Sequence, residues 1–295
     1  MNVQLEAIIN RALAEDSGEG DVTTEALIPG EQQGTGLIVV KQEGIVAGVD
    51  VARQVFLRVD PRLSFETVLE DGARVKPGSR VARVTGNVSS ILKAERVALN
   101  FLQRLSGIAS ETNRYVESVR GLPVRIMDTR KTTPGLRVLE KYAVSVGGGH
   151  NHRMNLSDGI LIKDNHLAVL RSRGLSIREI VARAREEARV WLRGVKGRGN
   201  LQAKRMQVEV EVRSVPEALE AAEAGADTVM LDNMQLEDMR KAVDSIHGRA
   251  LIEASGGITL ESVRSVAETG VDLISVGALT HSARALDISL ELEVQ

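Results

Sequence analysis

Between Arg125 and Asn165 the chain gathers side chains that are, or can be, cationic, mostly on loops and strand ends. DTRKTTPGLR holds Arg130, Lys131 and Arg137. GGGHNHRMNLSD holds His150, His152 and Arg153, and LIKDNH adds Lys163. A helix surface would interleave acids, and here they are few. Arginine offers paired N–H donors to a carboxylate or phosphate, and lysine a point charge. The pattern describes a pocket for a small polyanion. His150 and His152 resemble a metal pair, but no cysteine and no further histidine stands at ligand spacing.

Three acids close predicted strands: Asp164 in ILIKD, Glu211 in VEVEV and Asp232 in VMLDN. In parallel α/β architectures those strand ends line the functional face. Carboxylate oxygens converging there suit Mg²⁺, a hard cation that keeps much of its water. Two glycine-rich turns follow the last strands. EASGGI carries Ser255, Gly256 and Gly257, and SVGALTHS carries Gly277. Glycine lets backbone N–H groups come close to an anion, and a following helix N-terminus adds positive potential. Arg96 lies mid-helix beside Glu95, where composition alone reads an exposed Glu–Arg face.

The elements that must position these residues fall into two textures. Leu5, Ile8, Ile9, Ala12 and Leu13 predict an opening amphipathic helix that stops at Glu15-Asp16-Ser17-Gly18. LIVV, GIVAGV, LSFETVL and SRVARV, split by Gly, Pro and Asp-Gly, predict a small antiparallel sheet up to Val88. Ser89 or Ser90 is the expected cap of a long helix through Ile91, Ala94, Ala98, Leu102 and Leu105. After Gly121, the runs VRIMD, GILIKD, VEVEV, TVMLD, ALIEAS and DLISVG alternate with helical segments, the pattern of parallel strands with crossover helices. EALEAAEAGADTVMLDN and ESVRSVAETGVDLISVG align as an internal repeat, with Gly225 over Gly270 and Asp227 over Asp272. The basic, glycine-interrupted segment Trp191–Arg205 reads as an exposed loop before VEVEV.

The formal net charge of −2 provides no global field for nucleic acid or an anionic membrane. Aromatic residues make up only 2%, too few for a base-stacking surface. The absence of cysteine rules out disulfides, thiolate nucleophiles and zinc–cysteine sites. The first residues carry no apolar signal-peptide core, and no run is long and apolar enough to span a bilayer, so a cytoplasmic enzyme is expected. Walker, dinucleotide and nucleophile-elbow motifs are absent.

EDSGEGDVT, ERVALNFLQRLSGIAS, MDTRKTTPGLR, KYAVSVGGGHNHRMNLSDGILIKDNH, VEVEV, AGADTVMLDN, EASGGI and ISVGALTHS resemble, in order, the signature segments of quinolinate phosphoribosyltransferases. The resemblance runs from about residue 5 to 288, and DTRKTTPGLR and GGGHNHRMNLSD are its most specific pieces. It implies an α/β fold: an N-terminal α/β sandwich with an antiparallel sheet over 1–110, and an open, irregular α/β barrel over 111–280. A C-terminal helix over 281–295 is expected to pack back on the first domain. The implied reaction joins quinolinate to phosphoribosyl pyrophosphate and decarboxylates it to nicotinate mononucleotide, a step of NAD biosynthesis. The implied cofactor is Mg²⁺, and the implied assembly is a homodimer or a hexamer of dimers.

The resemblance carries a pyridine dicarboxylate site onto Arg130, Lys131, His152, Arg153 and Lys163. It turns Arg96 into an arginine that reaches a partner subunit's site. Glu211 and Asp232 become the acids of the Mg²⁺–phosphoribosyl pyrophosphate complex, with Asp164 nearby. Ser255, Gly256, Gly257 and Gly277 become phosphate loops. Catalytic roles fall to Lys131, Lys163, Glu211 and Asp232. A molybdenum-associated relative of the same fold is disfavoured by the complete cationic set. A non-catalytic phosphosugar-binding barrel is disfavoured by the acids at the Mg²⁺ positions. A lipoyl-like carrier around Lys76 is disfavoured because Lys76 precedes Pro-Gly.

Overall fold

The computed structural model describes residues 3–195 and 206–294, which divide into two compact units. The first comprises Met1–Arg114, Lys131–Gly149 and Ala278–Gln295, and the second Tyr115–Arg130 and His150–Gly277. No single cut in the sequence separates them. Among the described residues no helix is long and apolar enough to cross a membrane.

The first unit opens with α1 (Val3–Ser17) and α2 (Val22–Leu27), followed by β1 (Gln33–Val40), β2 (Gly44–Ile45), α3 (Val49–Val59), β3 (Ser64–Thr67), β4 (Arg74–Val75) and β5 (Arg80–Asn87). The long α4 (Val88–Ser118) follows, and α5 (Arg137–Val146), α11 (Ala278–His281) and β12 (Ile288–Val294) complete the unit. Its main sheet is antiparallel, ordered β12-β1-β5-β3.

Three local expectations change here. The chain's end is not a helix: Ile288–Val294 is a strand paired with β1, Val40 opposite Ile288 and Gly34 opposite Val294. The alternation Ile288, Leu290, Leu292 has the period of two that a strand needs. The α4 cap is Asn87 rather than Ser89 or Ser90, because Asn87 Oδ1 accepts the Ser90 N–H at 3.1 Å. And α3 interrupts what reads as a continuous run of β segments. It buries Val51, Ala52, Val55 and Phe56, a helical stripe. Its start is fixed from a distance: Asp71 accepts the N–H groups of Gly48 and Val49, both at 2.9 Å.

Glycine matters for packing at the end of α5. A Cβ on Gly147 would stand 2.4 Å from the Ala109 carbonyl oxygen and 2.8 Å from Thr112 Cβ. Only glycine lets this backbone lie against α4.

The second unit holds β6 (Arg125–Met127), β7 (Ile160–Ile162), α6 (Asp164–Arg171), α7 (Ile177–Val195), β8 (Val208–Val212), α8 (Val215–Glu223), β9 (Thr228–Asp232), α9 (Leu236–Ile246), β10 (Leu251–Ser255), α10 (Val263–Ala267) and β11 (Leu273–Ser275). All six expected strands are present and parallel, ordered β6-β11-β10-β9-β8-β7. Each strand from β7 to β11 pairs with its sequence neighbour, and β11 returns to β6. This is the winding of a barrel, and among the described residues no ladder closes it between β6 and β7. The segment expected as a Trp191–Arg205 loop is helical as far as Val195. Residues 196–205 lie outside the described residues.

The internal repeat has a structural cause. Asp227 Oδ2 accepts the Val208 N–H at 2.9 Å, and Asp272 Oδ2 accepts the Ile252 N–H at 2.8 Å. Each repeated aspartate, just before its own strand, ties down the start of the strand beside it.

Candidate active site

Side-chain alternation sorts the second unit's sheet. In VEVEV, Val208, Val210 and Val212 share one face, and Glu209 and Glu211 the other. Glu211 is opposite Met230 on β9, and Glu253 of β10 is opposite the same Met230. Glu209, Glu211 and Glu253 therefore project from one side of the sheet. They are 8%, 8% and 1% exposed.

His152 joins them from the loop after β6. A parallel bridge between Met127 and His150 extends that strand's edge, and the buried Asp128 accepts the His152 N–H through Oδ1 at 2.8 Å. The ring is held at both nitrogens. Nδ1 accepts the backbone N–H of Arg153 at 2.8 Å, and Nε2 lies 3.0 Å from Glu209 Oε2 and 3.6 Å from Glu253 Oε2. Ligating atoms of His152, Glu209 and Glu253 all lie within 4.8 Å of one another.

Arg153 is half-buried and donates from Nη1 to the Gly159 carbonyl at 3.1 Å. Burial holds its guanidinium below the ordinary arginine value, and the like charge of Arg130 adds to the effect against the opposing pull of Glu209 and Asp158. Two neighbouring guanidiniums in a half-buried place favour an anion between or beside them. Lys163, just before α6, sets its Nζ 3.5 Å from Glu211 Oε2.

The strand-end acids separate into pairs. Asp164 Oδ2 lies 3.1 Å from Arg213 Nη2, and Asp232 Oδ2 lies 3.4 Å from Arg213 Nε, so one guanidinium bridges the two. Asp232 also accepts from Asn233 Nδ2 at 2.9 Å. The tight acid cluster of the described residues is not Asp164, Glu211 and Asp232 but the one around His152. The glycine loop after β10 lies against the same region. Gly256 has φ +97°, and a Cβ there would meet Asn233 Oδ1 at 2.4 Å. The helices after the glycine loops, α10 and α11, have five and four residues. Any phosphate contact there falls to backbone N–H groups of the turns rather than to a long helix.

Lys131, Arg137 and Arg96 belong to the first unit. Arg96 is exposed on α4, and Lys131 is exposed with its carbonyl accepting from Thr280 Oγ1 at 2.8 Å. The fully buried Glu140 shapes the segment after Lys131. It accepts from the Thr133 N–H at 3.0 Å, Thr133 Oγ1 at 2.7 Å and Arg104 Nη2 at 2.8 Å.

Sequence reading singled out Glu211 and passed over Glu209, Glu253, Asp128 and Arg213. The signal for the two glutamates was present: strand alternation puts Glu209 beside Glu211, and Glu253 two residues before Ser255. Nothing local marks Arg213, whose role comes from two acids distant in sequence.

Comparison with known proteins agrees over the whole chain. The quinolinate phosphoribosyl transferase N-terminal domain matches residues 21–106, and the C-terminal domain of the same name matches residues 108–291. The chain is 41% identical to quinolinate phosphoribosyltransferase [decarboxylating] 1b of Nicotiana tabacum, over 99% of this chain and 83% of that one. It is likewise 41% identical to the probable nicotinate-nucleotide pyrophosphorylase [carboxylating] of Bacillus subtilis, over 99% and 94%. The crystal structure of NadC from Streptococcus pyogenes superposes with a TM-score of 0.90 at 42% identity, covering 99% of this chain and 97% of that one. With both domains matched in order and relatives above 40% identity along nearly its full length, the chain belongs to the quinolinate phosphoribosyl transferase family.

Proposed function

We propose that the protein transfers a phosphoribosyl group from phosphoribosyl pyrophosphate to quinolinate, releasing pyrophosphate and CO₂ and forming nicotinate mononucleotide. The observation that carries this reading is the pair of neighbouring half-buried guanidiniums, Arg130 and Arg153, in a chain whose relatives are named for the same reaction. Quinolinate brings two carboxylates to that pair, with Lys131 and Lys163 as further cations. The pyridine nitrogen attacks the anomeric carbon as the bond to pyrophosphate breaks. The ring nitrogen becomes cationic, and the adjacent carboxylate then leaves as CO₂. Its bonding electron pair stays on the ring carbon, which takes up a proton. Ser255, Gly256, Gly257 and Gly277 serve the phosphates with backbone N–H groups.

Mg²⁺ fits the donor set. It is usually held by one or two carboxylates plus substrate phosphates, so no cage of three acids is required. Glu211 and Asp232 supply hard oxygens near the ends of neighbouring strands, and each already has a cationic partner, Lys163 at Glu211 and Arg213 at Asp232, which supports reading them as ligands for positive charge. When bound with pyrophosphate, Mg²⁺ supplies charge neutralisation on the leaving group. Glu211 or Asp232 would stabilise the positive charge that develops on the ribose. The same reading makes the enzyme a cytoplasmic homodimer or hexamer of dimers in which Arg96 serves the partner's site. Incubating the folded protein with quinolinate, phosphoribosyl pyrophosphate and Mg²⁺ should yield nicotinate mononucleotide and CO₂. Absence of both products would overturn the assignment.

A further inference from the structure

The cluster around His152 has more acceptors than donors. Because Nδ1 accepts the Arg153 N–H, the ring proton sits on Nε2. That single N–H points at two carboxylates, Glu209 at 3.0 Å and Glu253 at 3.6 Å, and can satisfy only the nearer. Both oxygens of Glu253, Oε1 of Glu209 and the Ser275 hydroxyl are buried without a hydrogen bond of ordinary geometry, although Ser275 lies near enough to act on Glu253. Buried acceptors without donors are costly, and two ionised carboxylates this close are more so.

The groups that act on Glu253 come from four places. They are Glu209 on β8, His152 on the loop after β6, Ser275 on β11 and Lys163 before α6. Its register partners on β9 and β11 are Met230 and Leu273, which do not titrate. The one full positive charge, Lys163, sits 3.5 Å from Glu211.

We propose that Glu253 is held as a neutral carboxylic acid facing Glu209, so that one anion, Glu209, orients His152, and Glu253 is thereby a positioning residue for the His152–Arg153 side of the anion pocket. One proton on Glu253 supplies a single O–H donor to a cluster with three unpartnered carboxylate oxygens, and keeps a second negative charge out of a site that must accept a dianion. Burial, and then the Glu209 carboxylate, push Glu253 up to about 8, in the same direction. The functional half of this inference rests on the transferase reading above, whereas the protonation half does not.

The test compares wild type, Glu253→Gln and Glu253→Ala in two measurements. The first is thermal unfolding in EDTA from about pH 5 to about pH 9, which needs no substrate. A carboxyl whose folded value is raised contributes stability that is present at low pH and lost as pH climbs through that value. Wild type should therefore lose stability relative to Glu253→Gln between the ordinary carboxylate range and about 8, and no further above it. The second is the KM for quinolinate. Glu253→Ala should raise it by about tenfold or more through loss of His152 positioning, with a smaller change in kcat, and Glu253→Gln should recover most of that loss. Wild type should also show KM rising above about pH 8 as Glu253 ionises, and Glu253→Gln should lack that limb.

A Tm difference between wild type and Glu253→Gln that stays flat with pH would sink the proposal. So would Glu253→Gln proving as damaging as Glu253→Ala, because a charge would then be required. A Tm difference that follows added Mn²⁺ rather than pH would put a cation, not a proton, in the cluster. If wild type makes no nicotinate mononucleotide at all, the transferase reading fails, while the unfolding curves still decide the state of Glu253.

Discussion

Arg153 and Arg130 set the terms of recognition at the scale of single residues. Their like charges in a half-buried place, offset in part by Glu209 and Asp158, favour a bound anion, and quinolinate brings one more carboxylate than nicotinate. An unmet charge in such a site costs roughly 1–3 kcal/mol, so nicotinate should react with a kcat/KM about 10–100-fold lower or worse. Comparable values for the two acids would refute that. Asp232 makes the companion case. It lies at the end of β9, held by Arg213 and Asn233. If it and Glu211 carry the metal–pyrophosphate complex, Asp232→Ala should lower kcat by roughly 100-fold, since such charge stabilisation is worth several kcal/mol. Excess EDTA should do the same to wild type. Steady-state rates across a Mg²⁺ titration check both, and full turnover in EDTA would count decisively against a metal.

At the scale of elements, what was legible followed hydrophobic period. The six parallel strands of the second unit announce themselves as short apolar runs, and α4 by its spacing of three and four. What was missed depended on partners distant in sequence. The start of α3 is tied down by Asp71, more than twenty residues downstream, and β12 exists because β1 offers it an edge. The site divides the same way. Arg130, His152, Arg153 and Lys163 stood out because charge on strand ends and loops is conspicuous. Glu209 and Glu253 hid inside strands, where a charged residue gives no sign of what faces it. The glycines of GGGHNHR, read as part of a chemical motif, have a mechanical role as well. Gly147→Ala would force a Cβ into the Ala109 carbonyl of α4. Overpacking of this kind costs about 1–3 kcal/mol. Calorimetry should show a Tm several degrees lower, and an unchanged Tm would mean that α4 and α5 yield more easily than their packing implies.

The whole molecule poses the question of how many chains make one site. Arg96 is exposed on α4 in the first unit, beside Glu95, whose carboxyl feels its charge. The family resemblance assigns it to a neighbouring subunit's anion pocket, and a two-fold dimer makes that assignment testable without a structure of the complex. Arg96→Ala and Lys131→Ala, each inactive alone, are mixed under conditions that let subunits exchange. In a two-fold dimer with sites shared between chains, each site takes Arg96 from one chain and Lys131 from the other. A mixed dimer then contains one doubly damaged site and one intact site. Random exchange makes half of the dimers mixed, so activity should recover to roughly a quarter of wild type. If Arg96 acts within its own chain, every site in a mixed dimer carries one lesion. Activity then stays at the level of the separate variants. Sedimentation of the same mixture establishes whether dimers are present to exchange, so a failure to recover activity in a confirmed, exchanging dimer would remove Arg96 from the partner's site.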